Sequence, residues 1–162
     1  MHMTDRPSTG RPPMGARTGY RLVKLADLLL ALADQTLATL GVKTKHVHVL
    51  ETLLAYESLS QQDVSRLLGI DPNVLVGLLD ELEARGFAER RRNPHDRRRH
   101  VIQVTASGRE LVAESTRLLG DAEDAFFAVV SAEDRQVVHD ASGRLLAAHR
   151  PGWSEDLPSA GC

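Results

Sequence analysis

A chain of 162 residues is long enough to bury one good core, and it suits a single domain with or without an oligomerising extension. It carries 20 Lys and Arg against 22 Asp and Glu, a formal net charge of −2, which excludes a uniformly basic surface and leaves nucleic-acid binding only to a segregated basic patch. Its one cysteine, Cys162, stands at the terminus, which excludes an internal disulfide framework and fits a reducing, cytoplasmic setting.

Residues 1–16 are rich in Pro, Gly, Arg and Thr and read as a disordered arm. They lack an apolar signal-peptide core, so export is not expected. From residue 17 to 40 the pattern is helical: Leu22, Leu25, Leu29, Leu32 and Ala33 line one face, Leu28 lies beside them, and Leu37 and Leu40 continue the stripe to Gly41. The stripe is wider than one partner requires, which predicts a helix buried on more than one side, as at a subunit interface. Its most apolar run, residues 25–33, contains Asp27 and is too short to span a bilayer, so no membrane role is expected. Residues 44–56 give a second helix with Val47, Leu50, Leu53 and Leu54 facing inward.

The stretch from 60 to 105 organises the rest. Ser60 with Asp63 resembles a capping box with Asp in place of the usual Glu, Val64, Leu67 and Leu68 supply an apolar stripe, and Gly69 sits where a left-handed cap is wanted, with Ile70 expected to pack under the turn. Asp71 and Pro72 start a second helix, a side-chain cap followed by proline at the first helical position. Leu75, Leu78, Leu79 and Leu82 form its buried face and Gly86 ends it; Asn73, Val74, Val76 and Gly77 are left on the exposed N-terminal face. A short apolar strand, an arginine-crowded loop and the alternating strand of Val101, Ile102, Gln103 and Val104 follow. Helix, turn, helix and hairpin in that order are the sequence form of a winged helix-turn-helix, whose second helix enters the DNA major groove.

Between residues 85 and 99 stand Arg85, Arg90, Arg91, Arg92, Arg97, Arg98 and Arg99, with only Glu89 and Asp96 opposing them. Asn93-Pro94 marks the turn, which places the arginines on the tip and flanks of a loop suited to phosphates and a narrow minor groove. An isolated basic stretch could equally be a solvated charge run; beside a recognition helix, DNA contact is the expectation. Acidic residues gather instead in the C-terminal third, at Glu123, Asp124, Glu133, Asp134 and Asp140. After Thr105 a long helix is predicted through Leu111, Val112, Leu118, Leu119, Ala122 and Phe126, and a last one, capped by Ser131, through Val137, Val138, Leu145 and Leu146 to Pro151.

Residues 82–111, LEARGFAERRRNPHDRRRHVIQVTASGREL, resemble the MarR family of bacterial transcription regulators, and the resemblance extends over residues 17–150. In that family an Asp-x-Arg pair marks the wing and a Thr opens the next long helix; Asp96 and Arg98 fall on the pair and Thr105 on the helix start. The resemblance implies that Arg98 reaches the minor groove while Asp96 orients it. Many relatives have Ser, Thr and Arg or Lys where this chain has Val74, Val76 and Gly77, a departure that argues against bidentate guanine reading and leaves thymine methyls, Asn73 to adenine, and shape readout by the wing. The resemblance also implies a pocket between dimerisation helices and DNA-binding core, often occupied by aromatic acids or phenols. Arg17, Tyr20, Arg21 and Lys24 on the first helix and His46 and His48 on the second are candidates for its lining, with ordinary surface charge and a core tyrosine as the bland reading of each.

No phosphate-cradling loop, nucleophile elbow or metalloprotease motif is present, so no catalytic residue and no enzymatic activity are expected. His46 and His48 point about 200° apart on a helix and cannot share an ion there, and neither metal nor cofactor is expected. The expected chain is mainly α with a small β-hairpin wing. It comprises a disordered arm (1–16), a dimerisation helix (17–43), a winged helix-turn-helix (44–105) with DNA-contacting residues Asp71, Pro72, Asn73, Val74, Val76, Gly77, Arg90, Arg92, Asp96, Arg97, Arg98 and Arg99, long dimerisation helices (106–150) and a tail (151–162). The function read from it is a homodimeric repressor on palindromic double-stranded operators, released by a small aromatic or phenolic ligand. A non-catalytic interaction module, or a protein that coats DNA without sequence preference, is the alternative.

Overall fold

The computed structural model describes residues 13–56, 59–92 and 100–150. Six helices and one hairpin follow one another: α1 (Thr18–Ala38), α2 (Thr44–Ala55), α3 (Gln61–Leu68), α4 (Pro72–Ala84), β1 (Ala88–Arg92), β2 (His100–Val104), α5 (Ala106–Phe127) and α6 (Ala132–His149). The arm expected over residues 1–16 ends in a short 3-10 turn, Met14–Ala16, tied to α1 by Arg21 Nε donating to the Gly15 carbonyl at 2.9 Å.

The local signals act as their chemistry dictates. Ser60 Oγ accepts the Asp63 amide while Asp63 accepts the Ser60 amide at 3.0 Å, closing a reciprocal box at the start of α3. Gly69 ends α3 at φ +63°, a conformation open to glycine and costly to residues with a Cβ. Asp71 Oδ1 then accepts the Asn73 amide at 2.8 Å, and Pro72 needs no amide partner at the first position of α4. Thr105 caps α5 by accepting the Gly108 amide, and its own hydroxyl donates to the Gly86 carbonyl at 2.6 Å, which stitches the end of the hairpin to the end of α4.

The core sits among α2, α3, α4 and the hairpin, closed from behind by α1 and α5. Leu37, Val47, Val49, Leu50, Val64, Leu75, Leu79, Leu82 and Val101 are each at most 2% exposed. Leu78 packs against this core and is only partly buried. The hairpin is antiparallel, with Ala88 opposite Val104 and Arg92 opposite His100. The Ile102 amide also donates to the Leu59 carbonyl at 3.2 Å, so the segment before α3 lies along the second strand.

Two features differ from expectation. The first strand is not apolar: it reads Ala-Glu-Arg-Arg-Arg, with Ala88 alone buried, because a two-stranded wing has one solvated face and needs only its backbone to pair. Arg90, Arg91 and Arg92 therefore stand on a strand instead of a loop. The wide stripe of α1 is also less buried than its pattern suggests. Leu22, Leu25 and Leu28 are exposed in the single chain, whereas Leu37 near the other end is fully covered. No residue of α6 is buried at all; Arg135 ties the helix back to α5 through Asp124 at 2.7 Å and lies over the Phe127 ring.

Candidate nucleic-acid interface

Helix α4 turns Leu75, Leu79 and Leu82 inward, so the residues between them must point outward. Asp71, Pro72, Asn73, Val74, Val76 and Gly77 are all exposed, as the sequence predicts. Helical geometry sets Asn73 and Gly77 near the crest of that face, with Val74 and Val76 on its two shoulders, roughly 160° apart. Val74 is 48% and Val76 36% exposed, high values for β-branched apolar side chains beside a packed core.

The arginines divide into distinct groups. Arg85 faces the protein: it donates from Nη1 to the Gly41 carbonyl at 2.5 Å and from Nη2 to the Leu40 carbonyl at 3.1 Å, and it lies over the Phe87 ring. It thereby satisfies carbonyls past the end of α1 that have no helical partner. Arg90 reaches from β1 to α4, pairing with Asp80 at 2.9 Å and Glu83 at 2.5 Å. Arg91 pairs with Glu89 at 2.6 Å. Arg92 is exposed and has no ion-pair partner among the described residues. Asp96, Arg97, Arg98 and Arg99 lie outside the described residues. A charge count along the sequence could not separate these groups, because the partners Gly41, Asp80 and Glu83 are brought near by tertiary packing.

The residues expected to line an effector pocket fall in two places. Arg17, Tyr20 and Arg21 stand at the start of α1, and Lys24 pairs there with Asp27 at 3.0 Å. His46 and His48 lie in α2, whose first residue Thr44 is held by Asp34 near the other end of α1. The two groups are separated by roughly 20 Å along α1, at about 1.5 Å per residue, so a single chain does not bring them into one pocket. His46 is 5% exposed and internally satisfied. Its Nδ1 accepts the Lys43 amide at 3.0 Å and its Nε2 lies 2.8 Å from a Glu81 carboxylate oxygen. His48 instead lines an open cavity of about 230 Å³ with Lys45, Ile70, Asp71 and Val74, at the turn that leads into α4. Burial holds His48 below the ordinary histidine range and pushes Glu51, one turn further along α2, above the usual carboxylate range.

Among the described residues no group of His, Cys, Asp and Glu is arranged to hold a metal ion, and no helix is long and apolar enough to cross a membrane. What the surface offers is a convex helix face, its N-terminal turn free of bulky polar groups, beside a two-stranded wing carrying cations. That shape suits a groove in a macromolecule better than a small substrate.

Comparison with known proteins agrees. A family model described as "MarR family" matches residues 40–99, from the connection between α1 and α2 to the residue before β2. The uncharacterized HTH-type transcriptional regulator YdgJ of Bacillus subtilis (strain 168) is 30% identical over 108 residues, 67% of this chain and 66% of that protein. The multiple antibiotic resistance protein MarR of Escherichia coli (strain K12) is 25% identical over 89 residues, 55% of this chain and 62% of its own length. The chain thus spans just under two thirds of the length of these two relatives. Among solved structures, CouR from Rhodococcus jostii RHA1 bound to p-coumaroyl-CoA superposes with a TM-score of 0.73 at 27% identity, covering 90% of this chain and 100% of that one.

Proposed function

This chain belongs to the MarR family, and on that premise we propose that it is a non-enzymatic regulator of transcription that binds a palindromic operator as a homodimer and is released by a small ligand. The observation that carries the DNA-binding half is the exposed N-terminal face of α4 beside the arginine-bearing wing, with the opposite face of the same helix locked into the core. Asp96 and Arg98 take the wing roles that the family implies, the aspartate orienting the arginine toward the minor groove.

The homodimer is supported by apolar surface that the chain does not cover itself. Leu22, Val23, Leu25, Leu28 and Leu30 on α1 and Val137, Val138 and Leu145 on α6 are exposed, and so many uncovered apolar side chains on the flanking helices call for a partner. A second copy provides the same patch by two-fold symmetry and places two α4 helices on one face of DNA, about 10–10.5 base pairs apart. The dimer also offers a way for Arg17, Tyr20 and Arg21 of one subunit to meet residues of the other around an effector. The class of effector, an aromatic acid or phenolic compound, draws support from the likeness to CouR. Occupancy of the operator would block polymerase, and a ligand preferring a dimer of the wrong spacing would lift that block.

The test is titration of a labelled duplex from the DNA flanking the gene, with light scattering on the same sample. A dimer that shifts an inverted repeat far better than a scrambled duplex supports the reading. A clean monomer, or equal affinity for both duplexes, overturns it and favours a protein that coats DNA without preference. Aromatic acids and phenols that raise Tm and weaken operator binding together support the effector half, by linkage.

A further inference from the structure

We propose that Val74 and Val76 read the 5-methyl groups of thymine on the floor of the major groove, so that each half-site is specified by methyl groups more than by hydrogen bonds. This rests on the DNA-binding reading of α4 and concerns how that helix chooses its sequence. The major groove presents hydrogen-bonding atoms on every base pair, but an apolar group only at thymine. A reading surface made of valines therefore has one natural target.

Three observations support it. First, the outward face of the first two turns of α4 has little that can hydrogen-bond a base. The Asp71 carboxylate is used in capping the Asn73 and Val74 amides, which leaves the Asn73 side-chain amide between the two valines. Secondly, Arg90, a wing cation that reaches α4, is held by Asp80 and Glu83, so it does not extend along α4 toward guanine. That pairing also offsets part of the negative charge of the acidic third turn, which would otherwise repel phosphates more strongly. Thirdly, Gly77 lies on the crest where nothing in the chain needs a glycine: a Cβ there would meet no atom within 4 Å. A glycine inside a helix costs about 1 kcal/mol relative to alanine. At this position it lowers the crest, so that the helix can seat deeper in the groove and each valine, on its own side, can come within reach of a base edge.

The same chemistry extends to cytosine carrying a methyl at C5, which displays that group at the matching place in the groove. Affinity for a site with cytosine at a contacted position should therefore rise when that cytosine is methylated.

The test begins by selecting the preferred duplex from a random library with the full chain. Thymines in the selected half-sites are then replaced one at a time by deoxyuridine, which removes the methyl and leaves every hydrogen-bonding atom in place. At one or two positions per half-site, binding should weaken about three- to fivefold, the worth of one buried methyl group. In Val74→Ala or Val76→Ala the same replacement should cost less than twofold. Gly77→Leu, with space for its side chain in the free protein, should keep the fold by circular dichroism and weaken binding more than tenfold. Restoring a methyl as 5-methylcytosine in place of cytosine at a contacted position should recover the lost factor. Deoxyuridine neutral at every position, or losses unchanged in both valine variants, would overturn the proposal while leaving specific binding intact. A library that yields no preferred sequence overturns the DNA-reading function itself.

Discussion

His46 and Glu81 join α2 to the far half of α4. The Lys43 amide donates to Nδ1, so Nε2 carries the proton and donates to the Glu81 carboxylate 2.8 Å away. The imidazole is buried and the carboxylate is mostly exposed, so this is a hydrogen bond from an imidazole N–H to a carboxylate at the edge of the core more than an ion pair.

That geometry predicts an asymmetric response. His46→Leu removes both bonds from a buried position and should lower stability by about 1–3 kcal/mol. Glu81→Gln keeps an oxygen that can accept the Nε2 proton and should cost well under 1 kcal/mol. Urea denaturation of both variants checks the pair; equal losses would mean that the contact contributes through charge.

Gly108 in α5 is a packing requirement. A Cβ there would collide with the Phe87 carbonyl and with Val104, where α5 presses on the hairpin just after its Thr105 cap. Since a backbone carbonyl cannot swing aside as a side chain does, Gly108→Ala should destabilise by about 1–3 kcal/mol or more despite alanine's better helix propensity. Thermal unfolding should show a Tm several degrees lower, about 2–4 °C for each kcal/mol at this chain length. An unchanged Tm would show that α5 can shift without cost.

Arg90 and Arg92, two residues apart on β1, should differ in a salt titration of operator binding. Arg92 lacks an ion-pair partner among the described residues and can neutralise a phosphate, so Arg92→Ala should reduce the salt slope by about 1. Arg90 is committed to Asp80 and Glu83, and Arg90→Ala acts by exposing two carboxylates on α4. Its binding should weaken most at low salt, where repulsion is least screened, and Asp80→Asn in the same chain should restore part of it.

Two carboxylates should shift stability with pH in opposite directions. Hydrogen bonds from the Ser60 side chain and amide hold Asp63 below its ordinary value of 3.8, so its share of stability is present above that pH and is lost as pH falls through the lower folded value. Ser60→Ala should cost about 1 kcal/mol at pH 7 and lose most of that difference in acid. Burial lifts Glu51 above its ordinary 4.5, so the folded chain prefers it protonated and loses stability as pH rises from 4.5 through the raised value. Glu51→Gln should therefore raise Tm at pH 7 and have no effect near pH 4. The same sign of pH dependence for both variants would contradict these environments.

The elements were legible in the sequence wherever a local interaction fixes them. Ser60 with Asp63, Gly69, Asp71-Pro72 and Thr105 each bond within a few residues, so spacing alone locates the helix starts and the turn. The spacing of leucines in α4 likewise fixes which face is inward and hence which residues remain on the outside. Tertiary structure decided which of the outward charges are committed elsewhere. Arg85 reaches Gly41 and Leu40, Arg90 reaches Asp80 and Glu83, and His46 reaches Glu81, across separations that no periodicity encodes. It also set His48 apart from Tyr20, because Tyr20 stands at the start of α1 while α2, which carries His48, begins at Thr44, held by Asp34 near the other end of that 21-residue helix. A sequence records what each side chain can bond; the fold sets its distances to the rest, and Coulomb and hydrogen-bond energies at those distances select the partner.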